Sequence, residues 1–179
     1  MSVLARHQAA PSRHPRESLG VLLKVLEERD PGVLEDLNRV GHLASDTARL
    51  IGLGEEEIER VELAGRLHDV GKLAIPETIL HKPGPLDAAE WTIMRTHTLI
   101  GARIVASAPS LAPTEELIRS NHEHYDGNGY PDRLAGDEVP LGAYIVGTCA
   151  AFVAMMKHRP YSDGITVEQA LAELSLIHI

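Results

Sequence analysis

Residues 55–72 read Glu-Glu-Glu-Ile-Glu-Arg-Val-Glu-Leu-Ala-Gly-Arg-Leu-His-Asp-Val-Gly-Lys. Glu55, Glu56 and Glu57 stand where negative charge favours the start of a helix. Ile58, Val61, Ala64 and Leu67 then recur on one face at helical spacing. The helix runs into His68-Asp69. An adjacent His and Asp at a helix end can both reach one divalent ion, and the carboxylate can bridge to a second. Lys72 lies one turn beyond His68 on the same face, where its ammonium can meet a phosphate oxygen. Taken alone, a His-Asp pair is more often a hydrogen-bonded structural pair.

Outward from this stretch the pattern stays helical. Leu19, Leu22, Val25 and Leu26 are spaced for one buried face from Glu17 onward, and Asp30-Pro31-Gly32 interrupts them. Leu34, Leu37, Val40, Ala44 and Ala48 predict a second helix ending near Gly52 and Gly54. Asp87 with Glu90 predicts a capping box, opening one helix that carries Trp91, Met94, His97, Ile100 and Ile104. Thr114 is expected to cap a helix leading to Asn121-His122. The glycine-rich stretch 126–136 is a loop. Leu141 to Lys157 reads as an apolar helix, and Thr166 with Gln169 caps the last one. No strand pattern and no repeat stands out. The expected class is all-α.

Composition agrees. Apolar residues make up 44% of the 179 and aromatics only 3%, an aliphatic composition suited to helix packing. Lys and Arg number 17 against 26 Asp and Glu, a formal charge of −9. That balance argues against nucleic acid or an anionic membrane surface as partner, because both need a basic field. A small phosphate ligand stays open, since a few local cations can hold it. The single cysteine, Cys149, excludes an internal disulfide framework and reads as a buried small hydrophobe. No run is long and apolar enough to span a bilayer and no secretory signal is visible, so a cytosolic chain is expected.

The second strong motif is Asn121-His122-Glu123-His124-Tyr125-Asp126-Gly127-Asn128-Gly129-Tyr130-Pro131. Around it stand Ile75-Pro76, Lys82-Pro83-Gly84-Pro85-Leu86, Glu90-Trp91, His97 with Gly101, Val139-Pro140-Leu141 and Arg159-Pro160-Tyr161. In this order and spacing they resemble the HD-GYP family, whose signature is HHExxDGxGYP, over roughly residues 17 to 173. The resemblance implies an HD-superfamily helical bundle with two or three divalent ions, often iron or manganese, that hydrolyses cyclic di-GMP. It implies metal ligands at His68, Asp69, His97 and His122. It also implies phosphate or substrate contacts from Lys72, Arg159 and Tyr130, with Asp69 and Lys72 at the centre of the chemistry. The Gly-Tyr-Pro loop is, in relatives, a surface that can meet signalling proteins.

The departures from the family pattern fall on ligand positions. An early His of the pattern is Asp36 here, a shorter oxygen donor. The first His of HHE is Asn121, and an amide oxygen is a weak ligand for a transition metal. The late helix usually reads ADxxDA, but here Ala150 and Val153 replace both acids. An acid for a third ion falls at Gly32, so no third ion is expected. Two readings stay open: a phosphodiesterase working with a depleted set that includes Asp36, or an inactive module that senses a nucleotide or docks partners. A one-metal phosphohydrolase of the wider HD fold fits less well, because the Gly-Tyr-Pro motif is intact.

The domain is expected over 16–173, after a lead-in of 1–15 rich in His, Arg and Pro. Residues 174–179, Leu-Ser-Leu-Ile-His-Ile, match the translation of a transposon-based sequencing adapter. On that expectation the family's C-terminal segment is missing and His178 belongs to no site.

Overall fold

The computed structural model describes residues 15–157 and 164–177. Among them stand nine α-helices and no strand. They are α1 (Pro15–Arg29), α2 (Val33–Leu50), α3 (Glu55–Leu67), α4 (Glu77–Leu80), α5 (Ala88–Met94), α6 (His97–Ala106), α7 (Glu115–Ser120), α8 (Leu141–Met156) and α9 (Val167–Ile177). The chain is therefore all-α, as its periodicity requires. No helix among the described residues is long and apolar enough to cross a membrane.

The antiparallel neighbours α2 and α3 form the centre, and α8 lies against both. Leu37, Val40, Ala44 and Ala48 of α2 meet Ile58, Val61, Ala64 and Leu67 of α3 in the core, all buried. Val146, Cys149 and Val153 close it from α8. Each buried Leu, Ile or Val of this seam contributes about 1.5–3 kcal/mol, and the alanines let the helices approach closely.

Four local expectations change. On α1 the buried stripe is Leu19, Leu23 and Leu26, while Val25 is 47% exposed. That stripe follows the i, i+4, i+7 geometry of one packed face, and Val25 falls off it. The helix expected from Asp87 through Ile104 is two helices, broken at Arg95-Thr96. At the break the Thr96 backbone nitrogen and hydroxyl both donate to the Ile93 carbonyl, at 3.0 and 2.7 Å. Thr114 precedes α7 but makes no cap; its hydroxyl donates back to the Leu111 carbonyl instead. Lys157 lies just outside α8 with extended backbone. The Asp87–Glu90 capping box and the Thr166–Gln169 pair form as read.

After His68-Asp69 the chain makes a 3₁₀ turn, Val70–Ala74, which packs on α6. Two glycines permit this. A Cβ on Gly71 would lie 1.8 Å from the His97 carbonyl oxygen and 2.6 Å from the Gly101 nitrogen. On Gly101 it would meet the Gly71 nitrogen at 3.2 Å. From the other side Arg29 of α1 donates to the carbonyls of Leu73 and Ile75, and it pairs with Glu77 at 2.9 Å.

Gly71→Ala should therefore push the turn off α6 and cost about 3 kcal/mol or more, the upper range for overpacking against backbone. Urea unfolding measures it. A variant as stable as the parent would mean that turn and helix can separate freely.

Candidate active site

Four elements converge on Asp69. His68 ends α3 and Asp69 opens the 3₁₀ turn. Lys72 sits within that turn. His97 is the first residue of α6, and His122 lies in the loop after α7. The Lys72 ammonium lies 2.7 Å from Asp69 Oδ2, His68 Nε2 3.3 Å from the same oxygen, and His97 Nε2 3.7 Å from Oδ1. The His97 and His122 rings meet edge-on at 5.1 Å between centroids, and His122 stacks on Tyr130 at 4.8 Å.

Backbone carbonyls orient two of these imidazoles. His68 Nδ1 donates to Gly65 O, and His97 Nδ1 donates to Met94 O, each at 2.8 Å. A carbonyl only accepts, so each Nδ1 carries a proton and each Nε2 faces Asp69. The break between α5 and α6 is what frees the Met94 carbonyl for this bond. His97 Nε2 is buried and has no hydrogen-bond partner.

The electrostatics follow. Burial works against a charged His68, but the Asp69 carboxylate and the Gly65 carbonyl outweigh it and raise its pKa. Burial alone would favour a neutral Asp69. The facing His68 and Lys72 instead hold it well below the usual carboxylate value. His97 is lowered by burial. Burial and the neighbouring His97 bring His122 down to about 3. Burial and the Asp69 charge push the Tyr130 phenol up to about 12. The shifts favour the charged forms of Asp69 and His68 and disfavour charge on His97, His122 and Tyr130.

The remaining expected site residues lie elsewhere. Asp36 turns its carboxylate to the Lys157 ammonium rather than to the cluster. Ala150 packs against the hydrophobic core and brings no donor. Asn121 is buried at 4% exposure, and neither its amide oxygen nor its amide nitrogen has a partner. Arg159 lies outside the described residues. Cys149 is buried and its thiol pushed up by burial, as fits a packed residue.

These residues do not fit the two-ion centre that the family resemblance implies. Among the described residues no three His, Cys, Asp or Glu side chains are set to hold one metal ion. The carboxylate that would bridge two ions is met by an internal cation, Lys72. The unpartnered Asn121 amide and His97 Nε2 mark where the set is incomplete.

Sequence reasoning gave Glu123 no role, yet it organises the loop. It is 5% exposed. Its Oε1 accepts from the backbone nitrogens of Asp132 (2.6 Å) and Arg133 (3.1 Å), and Oε2 from that of Leu134 (3.1 Å). Gly129 presses on it: a Cβ there would lie 2.4 Å from Glu123 Cα. The available signal was a glutamate just ahead of a glycine-rich loop full of amides in need of acceptors.

The comparisons extend this geometry. A profile described as the HD domain matches residues 20–177. The chain is 40% identical over 161 residues to the "Cyclic di-GMP phosphodiesterase response regulator RpfG" of Xanthomonas campestris pv. campestris, covering 89% of this chain and 43% of that protein. It is 39% identical to the "3'3'-cGAMP-specific phosphodiesterase 2" of Vibrio cholerae, covering 86% of this chain and 30% of that protein. The chain thus spans less than half the length of these relatives. The fold matches the HD domain of the L. monocytogenes phosphodiesterase PgpH, solved in complex with cyclic-di-AMP, with TM-score 0.64 and 19% identity over 88% of this chain and 80% of that one.

Two outcomes are expected. Glu123→Gln should loosen the loop and cost about 2 kcal/mol, the range for hydrogen bonds to a charged group. Hydrogen exchange at the Asp132, Arg133 and Leu134 amides reads it, and unchanged protection would refute the anchor. The second concerns pH. His122 has a folded pKa of about 3 against an ordinary 6.5, so the unfolded chain binds the extra proton between those values. Its contribution to stability is complete above pH 6.5 and is lost as pH falls toward 3. In NMR titration its ring should stay neutral at pH 5, and His122→Asn should flatten the acid loss of stability; a ring half-charged near pH 6.5 would contradict this.

Proposed function

This chain belongs to the HD-domain family, and we propose that it is an HD-GYP-type module that binds a cyclic dinucleotide while its phosphodiesterase chemistry is reduced or lost. One observation carries the reading. The Asp69 carboxylate is neutralised by Lys72 at 2.7 Å, while Asn121, Ala150 and Asp36 leave the ion-binding set unfilled. The curated relatives are named for cyclic di-GMP and 3'3'-cGAMP hydrolysis, which makes a cyclic dinucleotide the ligand class to test.

In this reading His68, Asp69, His97 and His122 are the remnant of the ligand set. Iron or manganese is the ion that the family resemblance implies for such a set, and the residues as placed leave it incomplete. Lys72 is a third exposed and is the cation through which the cluster meets a phosphate. Tyr130 walls the ligand beside His122, and Arg159 is proposed as a further phosphate contact. A soluble cytoplasmic setting is part of the proposal. The exposed loop, with Tyr125 at 58% exposure, supports a second role as a docking surface for signalling proteins.

The test is cyclic di-GMP hydrolysis, anaerobically, with excess Mn²⁺ or Fe²⁺. The parent should show no turnover beyond that of His68→Ala and Asp69→Ala. Asp36→His, Asn121→His and Ala150→Asp combined should raise metal content and activity by about tenfold or more, given that even outer-shell losses cost about 10–100-fold. Parent turnover abolished by His68→Ala and Asp69→Ala would overturn the loss of chemistry.

A further inference from the structure

The described cations of this acidic chain are mostly spoken for. Arg29, Arg49, Arg60, Lys72, Lys82, Arg119 and Lys157 pair with carboxylates. Arg66 donates to Asn38, and Arg103 to the Leu99 carbonyl. Among the described cations Lys24, Arg39, Arg95 and Arg133 have neither kind of partner; Arg39 shares its groove with Glu35 and Asp46, whereas Arg95 and Arg133 both line one groove of 440 Å³ between the α5–α6 break and the Gly-Tyr-Pro loop. No Asp or Glu lines it. The carboxylates that flank the lining residues in the chain are engaged: Asp132 with Arg119 at 2.6 Å, and Asp126 with Asn128 at 2.9 Å.

The groove is built rather than incidental. Arg133 has a left-handed backbone, φ 58°, which is uncommon for a residue with a side chain. Its backbone nitrogen is held by buried Glu123, so the strain is sustained by an anchor. The Arg95 guanidinium lies 5.2 Å from the Tyr130 ring centroid and 6.0 Å from that of Trp91. An aromatic face positions an arginine without neutralising its charge. Thr92, Thr96 and Asn128 add polar groups. Tyr130 links the groove to the cluster, because its ring also stacks on His122.

We propose that this groove is a second anion subsite, in which Arg95 and Arg133 hold a phosphate group of a nucleotide outside the His-Asp cluster. Planar guanidinium forks suit phosphate oxygens bidentately. The proposal rests on the cyclic-dinucleotide reading only for the source of that phosphate. A free phosphate monoester carries the same chemistry.

Trp91 is the single tryptophan, and its fluorescence reports on the groove through Arg95, whose guanidinium lies 6.0 Å from its ring. The parent, Arg95→Gln, Arg133→Gln and the double variant are titrated with cyclic di-GMP, GMP and inorganic phosphate. Calorimetry measures affinity, Trp91 emission the place of binding, and circular dichroism confirms folding. Each single variant should weaken cyclic di-GMP by about fivefold and the double by about twentyfold, with a shallower salt dependence. Binding of GMP or phosphate alone, abolished in the double variant, would uphold the groove while refuting the cyclic-dinucleotide reading. A folded double variant that binds cyclic di-GMP as tightly as the parent would overturn the groove. So would a parent that binds none of the three.

Discussion

The approach of Gly71 to His97 is the constraint on which the site depends. Backbone meets backbone there with no room for a methyl group. This contact brings the end of α3, carrying His68 and Asp69, onto the first turn of α6, carrying His97. The glycines of the two short motifs, His-Asp-Val-Gly-Lys and His-x-x-x-Gly, are thus two sides of one contact. Their spacing from the histidines is a packing requirement before it is a chemical one.

That contact concentrates charge in a buried place, and the protein handles it internally. Asp69 is surrounded by His68, His97 and Lys72, and its negative charge is met by an ammonium at 2.7 Å. Leaving a buried carboxylate unpaired would cost several kcal/mol, so Lys72 stabilises the fold. The late helix shows the complementary change. With Ala150 and Val153 in place of acids, α8 packs as plain hydrocarbon. A core relieved of charge is often more stable than one that must hold it.

The loop after α7 follows the same economy of anchoring. One buried carboxylate, Glu123, satisfies three consecutive backbone amides and thereby sets where Tyr130 and Arg133 stand. His122 and Tyr130 stack on the inner side, and Arg95 and Arg133 face the groove on the outer side. The loop is the wall shared by the cluster and the groove.

By itself the sequence determined the all-α class, the buried faces of α2 and α3, the Asp87–Glu90 cap and the two motifs that meet at Asp69. Each is carried by residues within a few turns of one another, and helical spacing is a local rule. Through the family resemblance it also pointed to positions, Asn121 and Ala150 among them, where the expected ligand type is replaced. What it could not reveal depended on partners far apart in the chain. Asp36 reads as a candidate ligand until Lys157, 121 residues away, takes its carboxylate. The break at Arg95-Thr96 leaves the apolar spacing intact and so does not show in it, yet the bond from His97 to the Met94 carbonyl spans that break. The unpaired charges of Arg95 and Arg133 become neighbours only when the loop folds back over α6. Local periodicity decides elements; only their packing decides which charges face one another and which are left free.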